Sequence, residues 1–429
     1  MAEEFFFNEF RQALENALEE LGDEYSSEVT PFEDLYCSVW NPHESSRSIG
    51  GVVIASDGSW GTAEFSGGLR TWYVRALSHV QSEENLTPIF RTVVKVGHSL
   101  GGRAALMRSL EAENLLEAIT RFGEKPLLAL FDGSLYPYFS LYPDRLEKEV
   151  EYAETYARAL SRLFTLVEKG IVLVGVVKDS EVNWLRMRLL LDKLRVEIPK
   201  LGDYIRRERN PQRIIQAIEE HTSRVEVEAR ASLGEYGRGF LSTICDEVLL
   251  DILVKDPGYT CPMALAPHNL YLEEEIKAGT MDWWGSRLRK RVSAQGYTDL
   301  IDAFDELYRH PPLAMFYWRP HHGLGVYRVD VPCSLLGYDV EWGSMVEDVI
   351  IWDRDVLEAL GRICASLNSL SPSPYTVKPL LEVDEVVRMK EGTFSKAYQP
   401  IIQSELQRRG ILVRPKKRHL RDYARRYMR

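Results

Sequence analysis

Apolar residues recur along this chain in two rhythms. Short runs at GGVVIA (50–55), TVVKVG (92–97), PLLALF (126–131) and GIVLVGVV (170–177) have the length and β-branched content of strands. TWYVRALSHV (71–80) shares that composition. Between them the spacing changes to three and four. RAALMRSLEAENLLEAI (103–119) places Ala105, Leu106, Leu110, Leu115 and Leu116 near one face, which predicts a helix. Residues 144–169 predict a long charged helix with an apolar stripe, and STICDEVLLDILV (242–254) a short apolar one. Strands separated by helices predict an α/β sheet with parallel elements.

The flanks are less regular. Phe7, Phe10, Leu14, Ala17, Leu18 and Leu21 share one stripe, so an amphipathic helix is predicted over 3–21, stopping at Gly22. Residues 181–235 read as helical and heavily charged, either an insertion or an arm. LAMFYWRPHHGLGVYRVDVPC is aromatic and strand-like, 366–379 is a Ser- and Pro-rich loop, and 380–409 returns to helix. No solenoid repeat or low-complexity tract interrupts the pattern.

Composition narrows the class. The 429 residues are 45% hydrophobic and 27% charged, which excludes disordered, collagen-like and mucin-like chains. No window approaches the roughly 18 apolar residues of a membrane span. The acidic start lacks the basic residues and cleavage site of a signal peptide, so a cytoplasmic protein without a membrane partner is expected. The five cysteines are scattered and never form a CxxC pair, so they read as small hydrophobes. The net charge is −11, yet the last sixteen residues, RPKKRHLRDYARRYMR, carry eight Lys and Arg against one Asp. Such a tail either touches phosphates or is a solvated helix end.

The chemistry lies at the ends of the apolar runs. VVIAS leads into Asp57-Gly58-Ser59, LLALF into Asp132-Gly133-Ser134, and IVLVGVVK into Asp179-Ser180. Ligands in open α/β sheets bind beyond the carboxyl ends of parallel strands. Two carboxylates brought together there repel each other unless a cation lies between them. Glycine after each Asp would let the chain leave sharply and leave room for a phosphate. The helix over 103–119 offers Glu111, Glu113 and Glu117, of which Glu111 follows Leu110 at the helix edge. Asp246 stands oddly in an apolar stretch.

In their order these segments resemble the NurA nucleases of archaea and bacteria. SDGSWGTAEFSGGLRTWYVRA, LMRSLEAE, LLALFDGSLYPYF, KGIVLVGVVKDSEVNWL, ICDEVLLDIL, YRVDVP and SPYTVKPLLEVDEVVRM follow the family's sequence of motifs across about 50–390. The resemblance implies an α/β fold with an RNase H-like mixed sheet flanked by helices, a helical insertion and a C-terminal extension. It implies a lead-in over 1–49, the first part of the core over 50–180, the insertion over 181–235, the rest of the core over 236–390 and a basic tail over 391–429. It further implies a manganese- or magnesium-dependent DNA nuclease with Asp57, Asp132 and Glu111 as catalytic ligands and Asp246 as a further metal ligand. Lys178 and Arg103 would hold the DNA backbone, and Trp60 and Tyr136 are candidates to stack on unpaired bases. The implied partners are DNA, a second copy of the chain and a HerA-type hexameric translocase, in the processing of DNA ends. One departure stands out. Where the family reads Ala-His, this chain has Val383-Asp384, so Asp384 would be an oxygen ligand in place of a histidine.

Two other classes compete. Gly97-His98-Ser99-Leu100-Gly101, after a strand and before a helix, resembles the nucleophile elbow of α/β-hydrolases. An esterase would need Ser99 activated by a later acid and a later His, and His268, His310, His321 and His322 have no distinctive setting. A scaffold subunit that keeps the fold without activity is the third class.

Overall fold

Among the described residues, one mixed sheet of eleven strands organises the fold. The computed structural model describes residues 32–43, 48–65, 67–81, 88–122, 127–137, 143–199, 211–222, 244–267, 296–322, 325–345, 347–372 and 377–411, with scattered single positions between them. The strands are β1 (Trp40–Pro42), β2 (Val52–Glu64), β3 (Arg70–Gln81), β4 (Ile89–Gly97), β5 (Leu127–Asp132), β6 (Val172–Val177), β7 (Gly258–Thr260), β8 (Met263–Ala264), β9 (Leu313–Arg319), β10 (Tyr327–Pro332) and β11 (Val349–Ile350). β2, β3 and β4 form an antiparallel meander. β5 lies parallel to β2 on its other side, and β6 lies parallel to β5. The sheet continues antiparallel through β10, β9, β7 and β1, with β8 and β11 off the main path. This is the mixed sheet that the sequence led us to expect.

Ten helices matter here: α1 (Glu33–Ser38), α2 (Arg103–Phe122), α3 (Pro143–Glu168), α4 (Trp184–Glu197), α5 (Pro211–Thr222), α6 (Asp246–Leu253), α7 (Thr298–Leu307), α8 (Arg354–Ser369), α9 (Lys378–Val387) and α10 (Gln399–Arg408). Both faces of the sheet centre are covered, which is why β5 and β6 read as unbroken apolar runs. Ile54, Leu127, Ala129, Phe131 and Leu173 share a core with Leu115 and Ile119 of α2 and Leu160 of α3. Their neighbours Ala55, Leu128, Leu130, Val174 and Val176 share the opposite core with Val356, Leu360 and Ile363 of α8 and Leu380, Val383 and Val387 of α9. Each such Leu or Phe contributes roughly 1.5–3 kcal/mol of burial.

The boundaries move for physical reasons. β2 does not end at Asp57: it runs to Glu64 because β3 pairs with it residue for residue to Arg70. Residues 181–235 are not a projecting arm where described. Leu185, Leu189, Leu190, Leu191 and Leu194 of α4, with Ile214 and Ile218 of α5, join the same core as α2 and α3. The predicted helix over 380–409 breaks after Val387 and resumes through a π turn at Phe394–Tyr398 into α10. α8 extends to Ser369, four residues into the predicted loop. The helix predicted over 3–21 and the basic tail from 414 fall almost wholly outside the described residues. Cys261, Cys333 and Cys364 are buried as expected, whereas Cys37 is exposed. Among the described residues no helix is long and apolar enough to cross a membrane.

Candidate active site

The site is built by strands of unequal length. β5 pairs with β2 only as far as Ser56 opposite Phe131. Beyond that, β2 keeps β3 on one side and is open on the other, and Asp57 and Asp132 stand at the opening. By strand alternation Asp57 shares the face of Ala55, and Asp132 that of Leu128 and Leu130, so both carboxylates point toward α9. Gly133, at φ +121°, turns the chain away after Asp132, and its N–H donates to the Val176 carbonyl at 2.8 Å. Here the expected sharp exit after an Asp is found; at Gly58 it is not.

Gly58 has another role. A Cβ there would lie 2.3 Å from Glu111 Oε1 and 2.7 Å from Met107 Cγ. The missing side chain lets α2 bring Glu111 against the β2 backbone beside Asp57. Glu111 is 1% exposed, and its Oε1 is buried with no hydrogen-bond donor among the described residues. The helix is held at that height by Ser56 Oγ, which donates to the Glu111 carbonyl at 3.1 Å and accepts from Ser78 Oγ at 2.9 Å.

The electrostatics are those of crowded acids. Burial, then the Asp132 charge, pushes the Asp57 carboxyl up to about 7, against the Gly58 N–H that donates to its Oδ1 at 2.6 Å. Burial, then Asp57, raises Glu111 well above the usual carboxylate range, with Arg108 opposing. Asp132 is also raised: burial outweighs Lys178, whose Nζ donates to Asp132 Oδ2 at 2.7 Å. Asp384 of α9 adds a further negative field on both Asp57 and Asp132. Asp57, Glu111 and Asp132, with Lys178 and Asp384, are therefore one electrostatic unit.

This donor set fits a hard divalent cation, which prefers oxygen ligands and offsets their repulsion. The unpartnered Glu111 Oε1 is the clearest sign, since a buried acceptor without a donor is costly. As the side chains stand, no three His, Cys, Asp or Glu among the described residues close on one point. The Lys178 ammonium takes one oxygen of Asp132, and Glu111 reaches the opening from the opposite face of the sheet to the two aspartates.

Asp246 does not belong to the group, contrary to expectation. It is fully buried at the start of α6. Its Oδ1 accepts from Tyr36 Oη at 2.5 Å and the Arg186 N–H at 3.1 Å, and its Oδ2 from the Leu185 N–H at 2.9 Å and Tyr317 Oη at 3.2 Å. With both oxygens so engaged, it caps α4 and ties α1 and β9 to it, away from the charges that act on Asp57. Arg103 stacks on the Trp60 ring at 4.5 Å from its centroid. Tyr136 is buried and donates to the Ala266 carbonyl at 2.8 Å, so it is core. Ser99 is exposed at the end of β4, the antiparallel edge strand, and among the described residues no histidine bonds to it. That is not the setting of an elbow, which rises from the body of a sheet.

Several supporting residues escaped sequence reasoning. Ser59 Oγ accepts the Met389 N–H at 2.7 Å, and the Arg75 guanidinium donates to the carbonyls of Val387 at 2.5 Å and Arg388 at 2.8 Å. Together they pin the C-terminal end of α9, one turn beyond Asp384. Ser134 Oγ donates at 2.6 Å to Asp330 Oδ2, which Arg328 also grips from within β10. The available signal was the i, i+2 pair of opposite charges inside the apolar strand YRVDVP.

A mixed sheet of this order, with acids gathered where its parallel strands end, defines an α/β protein with a polar site at the strand termini. A family model described as the NurA domain matches residues 51–388, and the chain belongs to that family. No curated protein matches it significantly. Among solved structures, the NurA nuclease from Sulfolobus solfataricus is similar over 93% of this chain and 98% of its own, at 14% identity and a TM-score of 0.50. That likeness concerns the fold alone. A structure of NurA bound to dAMP and manganese is similar over 90% of this chain and 95% of its own, at 12% identity and a TM-score of 0.43. Endonuclease V from Streptomyces avermitilis covers 84% and 90%, at 13% identity and a TM-score of 0.26.

Proposed function

We propose that this protein is a divalent-cation-dependent DNA nuclease, with manganese or magnesium held by Asp57, Glu111 and Asp132 and with Asp384 beside them. The observation that carries the reading is the buried Glu111 Oε1, without a donor, lying against Gly58 next to Asp57. Membership of the NurA family supports the same class of reaction. A bound divalent ion supplies neutralising charge for a reacting phosphate and a more acidic water. The chain's own contribution is position. Neighbouring strands fix Asp57 and Asp132, and α2 fixes Glu111. Lys178 Nζ, at the end of β6, is a donor for a phosphate oxygen at the same opening. Backbone contacts of that kind hold DNA without reading its sequence.

The finer reading follows the sequence resemblance. It is a single-strand endo- and exonuclease that processes 5′ ends, acting as a homodimer with a HerA-type hexameric translocase in end resection and double-strand break repair. The acidic body, at net charge −11, fits an enzyme fed DNA by a motor. The test is cleavage of labelled single-stranded and duplex DNA with manganese, magnesium or EDTA. Wild type and Ser99→Ala should cleave only with the metal, and Asp57→Ala should not cleave. Absence of cleavage by wild type, even with the translocase added, would refute the reading.

A further inference from the structure

Trp60 and Arg103 lie on the α2 face of β2, the face of Glu111 and the one opposite Asp57 and Asp132. Trp60 extends β2 three residues beyond Asp57 and is 38% exposed. Arg103 opens α2, and its guanidinium carbon lies over the indole, 4.5 Å from the ring centroid. The stripe Arg103, Met107, Glu111 of α2 runs alongside β2 in the opposite sense. Arg103 meets Trp60, Met107 and Glu111 meet Gly58, and the Glu111 carbonyl meets Ser56. Eight residues of helix separate Arg103 from Glu111 by about 12 Å along the axis, and two residues of strand separate Trp60 from Gly58 by about 7 Å.

The state of Arg103 is informative. Burial lowers its pKa, and its Nε is enclosed without an acceptor among the described residues. Among the described residues no carboxylate pairs with it, although acids outnumber bases 64 to 53 in this chain. Other arginines of the fold are provided for: Arg91 has Glu113 and Glu117, Arg158 has Glu154, and Arg328 has Asp330. An unpaired guanidinium stacked on an exposed indole, a short distance from a site for phosphodiesters, has the chemistry of a single-strand platform: a π-face for a base and a cation for its phosphate.

We propose that Trp60 and Arg103 form a stacking subsite for an unpaired base of the strand whose backbone lies at the Asp57–Glu111–Asp132 opening. This rests on the nuclease reading of that opening. Within a duplex both faces of a base are occupied by its neighbours, so the subsite favours single-stranded DNA or a frayed end. Trp60 supplies the stacking face. Arg103 holds the indole in place and brings its positive charge toward the adjoining phosphate.

The test is binding measured in EDTA, where no cleavage intervenes. Fluorescence anisotropy would compare a short oligothymidylate, the same oligonucleotide carrying abasic sites, and a blunt duplex. Variants are Trp60→Ala, Trp60→Phe and Arg103→Ala, with circular dichroism as the check on folding. Trp60→Ala should weaken oligothymidylate binding about 5- to 100-fold, leave abasic binding unchanged and erase the preference over duplex. Trp60→Phe should keep most of the affinity, and Arg103→Ala should weaken both oligonucleotides. Equal binding of oligothymidylate by wild type and Trp60→Ala would overturn the proposal. So would an equal loss on the abasic strand, because that loss would not be stacking. The two readings separate cleanly: a base-dependent loss at Trp60 in a protein that never cleaves DNA removes the nuclease and keeps the platform. Metal-dependent cleavage with an indifferent Trp60 does the reverse.

Discussion

Replacing Asp57 with asparagine should stabilise the metal-free protein at alkaline pH while removing its response to divalent cations. The Asp57 carboxyl is raised from 3.8 to about 7 by burial and by Asp132. In the folded state it keeps its proton through a range where the unfolded chain has lost it. Stability therefore falls as pH rises from the unfolded pKa to the folded one, at about 1.4 kcal/mol per unit, and is flat above it. Between pH 5 and pH 8 the wild type should lose on the order of 3 kcal/mol through this group alone. The amide introduced by Asp57→Asn keeps an acceptor for the Gly58 N–H, has no charge to bury and loses nothing from this source. Removing the charge also relieves Glu111, whose elevation owes part to Asp57. The assay is denaturant unfolding of both proteins in EDTA at pH 5 and pH 8, repeated with manganese. We expect Asp57→Asn to gain a few kcal/mol relative to wild type on going from pH 5 to pH 8, and manganese to stabilise wild type only. Identical pH dependence in the two proteins, or a variant less stable than wild type at pH 8 without metal, would refute the argument that this carboxylate is held under repulsion.

Gly58→Ala should push Glu111 from its place, destabilise the protein by about 1–3 kcal/mol and weaken manganese binding at least tenfold by calorimetry, since the added Cβ would lie 2.3 Å from Glu111 Oε1. Asp246→Ala should destabilise by about 3–5 kcal/mol in the same unfolding assay, because it strands the Leu185 and Arg186 N–H groups and two buried tyrosine hydroxyls. Ser99→Ala should leave metal-dependent DNA cleavage within about twofold of wild type and leave p-nitrophenyl ester hydrolysis at background, as an exposed edge-strand serine without a base predicts.

The sheet was legible because its central strands are buried on both faces, so VVIA, LLALF and VLVGVV carry no polar interruption to confuse the reading. Asp57 and Asp132 were legible for the same reason: a carboxylate directly after such a run has little to do but meet a ligand. Glu111 was reachable only as one of three acids on a helix, since a helix pattern gives a face but not the strand residue it will meet. The partner of that choice is Gly58, whose role is volume rather than flexibility, and volume has no sequence signature. Asp246 misled because an acid in an apolar segment has two explanations, a metal or a set of buried donors. The donors come from Tyr36, Leu185, Arg186 and Tyr317, scattered along the chain. The length of β2 was missed because Asp-Gly-Ser has turn composition, and only the registered pairing with β3 keeps it extended.

The pinning of α9 to β2 has a consequence for how the protein is made. Ser59 and Arg75, near the beginning, hold Met389, Val387 and Arg388, near the end, and Gly61 packs against Phe394. More than three hundred residues separate Asp57 from Asp384. At about 5–20 residues per second, the nascent strand bearing Asp57 waits on the order of tens of seconds for the helix that covers it. Until then the face that carries Asp57 and Asp132 lies open to water, which hydrates their charge. The α9 side of the site, with the Asp384 charge, is thus closed only late in translation, so a chain truncated before α9 lacks that charge and the cover over Asp57 and Asp132.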